Sequence, residues 1–238
     1  VNFSPTGSVT ISGTATEDQT LTASNTLADE DGLGAISYQW QRGGTDIGGA
    51  NASTYTLIQA DVGAAITVAA SYTDGEGTPE SSVSGATAPV ANVNDVPIVT
   101  ITGTPREDET LTAVVTDEDG IPSDITYQWY RNNNDTIGVN SEKYTLVQAD
   151  VGAVITVIVS FTDGQGTPES SISGATAPVA NVNDDPKGSV VITGTVTEDE
   201  TLTASNTLAD EDGLGAISYQ WQRGGAVIDG ATNTTYTL

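Results

Sequence analysis

The sequence predicts an all-β fold made of tandem antiparallel β-sandwiches. A unit of about 90 residues recurs along the 238-residue chain, and within it short stretches alternate apolar residues with Thr, Ser or Tyr. Gly, Asn, Asp and Pro punctuate these stretches every 8 to 12 residues. About seven short strands in a unit of this size is the pattern of a β-sandwich.

The repeats are defined by long, nearly identical segments. ISGTATEDQTLTA at 11–23 returns at 101–113 and 192–204, and SYQWQRGG at 37–44 returns in the same order. These segments place three tryptophans in register: Trp40, Trp129 and Trp221. We therefore predict three repeats of about 90 residues, with the third truncated: 1–95, 96–184 and 185–238.

Period-two patterning places the strands of the first repeat and leaves no credible helix. The expected strands lie near 8–13, 20–27, 35–42, 54–58, 64–73 and 82–91. The third repeat stops at Leu238, before its last two expected strands. We accordingly expect the sequence to be a segment of a longer protein.

Composition excludes several classes of function. The chain has 6 Lys and Arg against 32 Asp and Glu, a formal charge of −26, so it cannot supply the clustered cations that nucleic acids and anionic membranes require. The absence of Cys and His removes disulfides, thiolate chemistry, zinc ligation and the usual general base. No apolar run approaches the roughly 18 residues of a membrane span. We predict that the chain is not an enzyme, binds no nucleic acid and does not insert into membranes.

Each repeat resembles an immunoglobulin-like domain. Trp40 lies in the third expected strand, where such domains place their core tryptophan, and YTLIQADVGAAITV at 55–68 resembles the corner that leads into their sixth strand. The cysteine pair of antibody domains is missing, and Ala23 and Val68 stand roughly where it would lie. Core packing alone is therefore expected to hold the two sheets together.

Acidic and amide side chains cluster in the turns, which alternate between the two ends of an antiparallel sandwich. The turn after the first strand, the turn into the sixth strand and the chain exit are expected at one end, and the remaining turns at the other. At the first junction between repeats the candidate ligands are Glu17, Asp18, Asn92, Asn94, Asp95, Asp117, Asp119 and Asp163. At the second they are Glu107, Asp108, Asn181, Asn183, Asp184, Asp210 and Asp212. Three further candidate metal ligands, Asp29, Asp31 and Asp74, lie in the turns at the opposite end of the first repeat.

So many carboxylates cannot all stay ionised close together unless a cation lies among them. Oxygen ligands without imidazole or thiolate favour Ca²⁺ over a transition metal. Solvated acidic turns that only keep the chain soluble are the alternative interpretation.

Other interpretations of these acidic residues are weaker. Asp61 and Asp150 suit capping of the corner turn better than metal binding. The DEDG segments resemble the start of an EF-hand loop, but Trp40 or Trp221 stands at the twelfth position in place of Glu. Carboxylate pairs such as Asp29 with Asp74 recur in successive repeats, and this repetition indicates a structural role for them and not a catalytic one.

The linkers ANVNDVP and ANVNDDP are similar to the calcium-binding D-x-N-D-x-x-P linker of cadherins, and the pairs at 107–108 and 117–119 match further cadherin ligand segments. Two departures are Asn92 or Asn181 at the first Asp of the motif and a proline that stands one residue closer. Acidic tandem units without Cys that carry DGxGTPESS turns also resemble the extender repeats of large type I-secreted, RTX-type bacterial surface adhesins. That resemblance implies an extracellular, cell-surface location and calcium-dependent stiffness, and it connects the chain with cell adhesion and biofilms.

We therefore expect a structural extender of a secreted adhesin, whose partners are neighbouring repeats of the same chain and Ca²⁺. Two alternatives remain at this stage. In one, the sandwich surfaces recognise a glycan or a protein. In the other, the chain is a subunit of an extracellular filament or surface layer, and the open edge of an incomplete repeat exchanges strands with another copy.

Overall fold

A computed structural model describes residues 2–238. The first repeat forms seven strands and a single 3₁₀ turn, in the order expected of a sandwich. These elements are β1 Val9–Ser12, β2 Thr20–Asn25, β3 Ser37–Arg42, β4 Thr45–Asp46, β5 Thr54–Thr56, the 3₁₀ turn Gln59–Asp61, β6 Ile66–Thr73 and β7 Pro79–Val83.

The strands of the first repeat form two antiparallel sheets with immunoglobulin-like order. One sheet has the order β1-β2-β5 and the other β4-β3-β6-β7. Trp40 on β3 lies opposite Val68 on β6. Along β6, buried and half-buried residues alternate, as expected of a strand with one face in a core.

The core of the first repeat is built around Trp40, which is fully buried together with Leu21, Leu57 and Val68. The indole N–H of Trp40 donates to the Ala52 carbonyl at 2.9 Å, so burial leaves its polar atom satisfied. Ala23 is also buried, and together with Val68 it fills the positions expected for a cysteine pair with small apolar side chains. Apolar packing therefore replaces the disulfide, as predicted.

The second repeat reproduces this architecture. Its elements are β8 Ile98–Thr102, β9 Thr110–Thr116, β10 Thr126–Arg131, β11 Asp135–Ile137, β12 Lys143–Thr145, the 3₁₀ turn Gln148–Asp150, β13 Ile155–Thr162 and β14 Pro168–Ile172. Its sheets have the orders β12-β9-β8 and β11-β10-β13-β14, and Trp129 is again fully buried.

The third repeat contains β15 Val190–Thr193, β16 Thr201–Asn206, β17 Gln222–Arg223, β18 Ala226–Val227 and β19 Thr235–Thr237. They form one three-stranded sheet, β15-β16-β19, and one hairpin, β17-β18. The described strands of this repeat include no counterpart of β6. Val190 is 56% exposed, whereas its counterpart Val9 in the first repeat is 4% exposed.

The chain forms two compact units, and the middle repeat contributes residues to both. The first unit comprises Val1–Ile98, Val115–Ile125 and Ser160–Ser171. The second comprises Val99–Val114, Thr126–Val159 and Ile172–Leu238.

One expected strand of the first repeat was placed wrongly. A strand was predicted near 82–91, but the last strand, β7, spans Pro79–Val83 and pairs with β6. The more apolar stretch that follows makes only isolated bridges, Val90 with Val62 and Ala91 with Thr16. These bridges return the chain to the end of the sandwich where the linker starts. Within residues 2–238, no helix is long and apolar enough to span a membrane.

Candidate metal centres

The first candidate centre consists of Glu17, Asp95 and Asp119. Each contributes one carboxylate oxygen, and these oxygens lie within 4.8 Å of one another. Glu17 lies in the turn between β1 and β2, Asp95 in the linker after β7, and Asp119 in the turn between β9 and β10. All three belong to the first compact unit, although they come from two consecutive repeats and the linker.

The turn that presents Glu17 is fixed by backbone contacts. The Glu17 N–H donates to the Ala91 carbonyl at 2.9 Å, and the Asp18 N–H donates to the Leu57 carbonyl at 3.1 Å. Asp18 has a φ of 62°, a left-handed conformation that Asp tolerates better than most residues. Asp18 itself is exposed, so the Glu-Asp pair directs one side chain into the centre and the other into solvent.

Backbone and amide N–H groups hold the carboxylates of the first centre in place. The Val93 N–H donates to Glu17 Oε2 at 3.3 Å. Asp119 accepts from the Asp95 N–H at 2.8 Å through Oδ2 and from the Gln59 side chain at 3.1 Å through Oδ1. The linker therefore contacts carboxylates of both repeats through its main chain.

Burial makes the first centre electrostatically costly without a cation. Glu17 is 2% exposed and Asp119 is 3% exposed. Burial raises the pKa of Glu17, and the charges of Asp95 and Asp119 raise it further against the opposing hydrogen bond from Val93. A bound cation would offset both effects.

A second acidic group adjoins Asp119 in the same unit. The Asp119 N–H donates to Asp117 Oδ1 at 2.9 Å, and Asn94 Nδ2 donates to Glu169 Oε1 at 2.7 Å. Burial raises the pKa of Asp117, with contributions from the charges of Asp119, Glu169 and Asp163. Among the described residues, the Oδ2 atoms of Asp117 and Asp163 are buried without a hydrogen-bond partner. Unpartnered buried carboxylate oxygens are the condition that a bound cation relieves.

The second candidate centre repeats the first with Glu107, Asp184 and Asp212, again with one carboxylate oxygen each within 4.8 Å. The Val182 N–H donates to Glu107 Oε2 at 3.1 Å, and the Asp184 N–H donates to Asp212 Oδ2 at 2.8 Å. All three acidic residues lie in the second compact unit. Asp108, like Asp18, is exposed and has a positive φ of 64°.

The second centre is more open than the first. Asp212 is exposed, and hydrogen bonds from the Asp184 N–H and the Asn181 side chain lower its pKa. The pKa of Asp184 is raised by desolvation and by the charges of Glu211, Asp212 and Asp108. Lys187 forms an exposed ion pair with Glu211 at 2.6 Å, which places one positive charge close to this centre.

The other sequence-predicted ligands lie beside the centres or at the far end of the first repeat. Asn92 has a buried Oδ1 without a hydrogen-bond partner among residues 2–238. Asn183 donates to the Asp184 carbonyl at 3.0 Å, and Asp210 accepts from the Asp212 N–H at 3.0 Å. The three ligands predicted at the other end, Asp29, Asp31 and Asp74, belong to neither of these two centres.

The turns that carry Asp29, Asp31 and Asp74 have contacts like those around Asp119. Asp31 Oδ2 accepts from the Phe3 N–H at 2.7 Å, and the Asp31 N–H donates to Asp29 Oδ1 at 2.9 Å. Asp74 is 6% exposed, and its Oδ2 is another buried oxygen without a hydrogen-bond partner among the described residues. Phe3 thus contacts Asp31 through its backbone N–H as Asp95 in the linker contacts Asp119.

Three residues at or beside the centres were not predicted: Gln59, Gln148 and Glu169. Gln59 and Gln148 start the two 3₁₀ turns, and Glu169 lies on β14. The repeated segment QADVG contains Gln59 and Gln148, but only its aspartate was predicted to have a role. Asp61 is indeed used structurally, because its Oδ2 accepts from the Ile58 N–H at 2.9 Å and its Oδ1 accepts from Arg42 Nε at 2.7 Å.

No protein-family model matches the chain, and no curated protein matches it. Among solved structures, the chain is similar to the three N-terminal domains of the bacteriophage RB49 highly immunogenic outer capsid protein (Hoc). The alignment has 18% sequence identity and a TM-score of 0.29, and it covers 96% of this chain and 84% of that one.

Strand order and the buried tryptophans define the class of this protein as tandem immunoglobulin-like β-sandwiches. Its two carboxylate centres offer oxygen ligands from successive repeats. Carboxylate and amide oxygens are the donors that Ca²⁺ takes in proteins, so the residues present fit this ion.

Proposed function

We propose that the chain is a structural extender of a secreted bacterial surface adhesin, in which Ca²⁺ at each centre stiffens the connection between consecutive repeats. The observation that carries this proposal is the origin of the ligands. Glu17, Asp95 and Asp119 come from one repeat, the linker and the next repeat, and their oxygens lie within 4.8 Å. A cation held by all three would restrain the linker at both ends.

The electrostatics favour a cation-dependent stiffness. A formal charge of −26 and two acidic clusters, of which the first is largely buried, make the cation-free chain self-repelling. Sites in extracellular modules typically have a Kd of about 10⁻⁴ to 10⁻³ M, so they fill outside a cell and stay empty inside it. The chain would therefore remain flexible before export and become stiff at the cell surface. The near-identity of turns in successive repeats suits a spacer better than a dedicated binding site.

Small-angle X-ray scattering tests the mechanical part of this proposal. Addition of millimolar CaCl₂ to the calcium-free chain is expected to lengthen its maximum dimension and to narrow the distance distribution, and a chelator should reverse both changes. Asp135→Asn is the matched control, because it removes one exposed carboxylate on β11, outside both centres, and should leave the response intact. Calcium binding without any change in the scattering profile would overturn the stiffening mechanism.

A double-mutant cycle tests whether one ion is shared across the linker. Asp95→Asn and Asp119→Asn should each weaken the same site by about 1–3 kcal/mol, by analogy with loss of a charged hydrogen-bond partner. The double variant should lose less than the sum of the two single effects, because the second change acts on a site that is already disrupted. Strictly additive losses in calorimetric titration would mean that the two carboxylates serve separate sites.

A further inference from the structure

Gln59 and Gln148 occupy equivalent places in the two candidate centres. Each is the first residue of a 3₁₀ turn, Gln59–Asp61 or Gln148–Asp150, whose last residue is a fully buried aspartate. Asp61 is bound by Arg42, by the Tyr55 hydroxyl at 2.9 Å and by a backbone N–H. The glutamine side chain therefore extends from a backbone that is held firmly in place.

In the first centre, only one end of the glutamine amide is satisfied. Gln59 Nε2 donates to Asp119 Oδ1 at 3.1 Å. Gln59 Oε1 is buried and, among the described residues, has no hydrogen-bond partner. An amide oxygen buried in this way costs free energy unless a donor or a cation reaches it.

In the second centre, both ends of the amide face oxygen atoms. In one orientation, Gln148 Nε2 lies 3.4 Å from both Asn181 Oδ1 and Asp212 Oδ1. In the opposite orientation, the nitrogen donates to Glu107 Oε1 and Oε2 at 2.6 and 3.0 Å. In this second orientation, the amide oxygen takes the place 3.4 Å from Asn181 Oδ1 and Asp212 Oδ1. Such a contact is repulsive without a cation, whereas oxygens at these separations can share one as ligands.

We infer that Gln59 and Gln148 are neutral amide ligands of the two cation centres. The inference rests on the proposed function, since it concerns the same centres. In the cation-free chain, Nε2 donates to the carboxylates and reduces their repulsion. On binding, the amide presents Oε1 to the cation, so the centre gains a ligand without gaining negative charge. Because ligand charge tunes calcium affinity, a neutral ligand keeps the centre in the weak range of extracellular sites.

Gln59→Glu separates this role from simple positioning of Asp119. A ligating carboxylate at this place should tighten calcium binding at the first centre by about 10-fold, since it adds a charged ligand. If Gln59 acts only as a hydrogen-bond donor to Asp119, the same substitution must weaken binding, because a carboxylate cannot donate and repels its neighbour. Gln59→Leu should weaken binding by about 10-fold under the inference, in the range reported for loss of a supporting contact in a metal site.

The measurement is calorimetric titration of the calcium-free 238-residue chain with CaCl₂. Gln222→Glu, which adds the same charge at an exposed position in the third repeat, should leave both affinities unchanged. Absence of calcium binding to the unaltered chain would overturn the proposed function, whereas normal binding with a weaker Gln59→Glu variant would overturn only the ligand role. NMR spectroscopy of the unaltered chain gives a second readout that does not depend on whether a variant folds. The side-chain amide resonances of Gln59 in the unaltered chain should shift on saturation with CaCl₂, and unshifted resonances would contradict ligation.

Discussion

The two candidate centres use the same motifs, yet Asp119 in the first is 3% exposed whereas its counterpart Asp212 in the second is exposed. The turn at 163–166 accounts for the difference, because the Gly164 N–H donates to the Gly120 carbonyl at 3.2 Å beside Asp119. The third repeat has no equivalent turn in this sequence. Linker and ligands alone therefore do not bury a centre. A second turn of the following repeat has to cover it.

We expect the largest effect from a change at Asp61, which anchors the 3₁₀ turn that begins at Gln59. Asp61→Ala removes a carboxylate that binds Arg42, Tyr55 and the Ile58 N–H, and it should lower the free energy of unfolding by about 3 kcal/mol. Because the turn that carries Gln59 loses its anchor, calcium binding at the first centre should weaken as well. Urea unfolding and calcium titration measure the two effects.

Asp150→Ala is the matched variant in the second repeat, where Arg131 and Tyr144 make the same contacts. It should destabilise the fold to a similar extent but weaken the second centre and leave the first unchanged. If both variants weakened both centres equally, the assignment of one glutamine turn to each centre would be wrong.

The next largest effect should distinguish the two centres by their burial. Asp119→Asn is expected to weaken calcium binding at the first centre on the order of 10-fold to 100-fold. Asp212→Asn should cost the second centre less, because water can replace part of the ligation at an exposed carboxylate. Calorimetric titration of the two variants checks this order. A larger loss for Asp212→Asn would contradict the link between burial and affinity.

The sequence predicted the β-sandwich fold, the buried tryptophans and the proximity of the acidic turn at Glu17 to the linker at Asp95. These features depend on local pattern and on strand alternation, which a sequence carries directly. Glu17 with Asp95 is an example, since both were assigned to one end of the first repeat and their oxygens lie close together.

The parts that were missed depend on tertiary contacts. Gln59 contributes through a turn whose orientation is set by the ion pair of Arg42 with the buried Asp61, and no spacing rule indicates where an amide will point. The strand β7 was misplaced because PESSV at 79–83 is mostly polar, whereas the predicted stretch at 82–91 contains more apolar residues. Hydrogen bonding to β6, and not hydrophobic alternation, decides where this strand lies.

A steric change offers a smaller test of the covering turn. An added Cβ at Gly164 would lie 2.5 Å from the Asp119 carbonyl oxygen, so Gly164→Ala must push the two turns apart. We expect a loss of about 1–3 kcal/mol in stability, as for other overpacked sites, and weaker calcium binding at the first centre only. Gly174→Ala is the control, since a Cβ there meets nothing within 4 Å. Urea unfolding and calcium titration of both variants measure the difference, and an unaffected first centre in Gly164→Ala would show that the turn does not shape it.

The smallest expected effect is the pH dependence of the calcium-free chain. The pKa of Glu17 is raised from its ordinary value of 4.5, so the folded chain takes up this proton at a higher pH than the unfolded chain does. Stability without calcium should therefore rise as the pH falls from neutral toward 4.5, because protonation relieves the buried charge. Glu17→Gln should remove part of this rise and should raise the urea midpoint at neutral pH.

Asp212→Asn provides the contrast in the pH experiment, because the pKa of Asp212 is lowered from 3.8 and its stabilising contribution is lost only in more acidic solution. This variant should keep the part of the rise between neutral pH and pH 4.5 that Glu17 contributes. With calcium present, the sign should reverse for the unaltered chain, since protons then compete with the cation for the same carboxylates. Urea unfolding at pH 7 and pH 5, with and without CaCl₂, tests both statements. A calcium-free chain that loses stability over this range would mean that Glu17 is better solvated than its burial indicates.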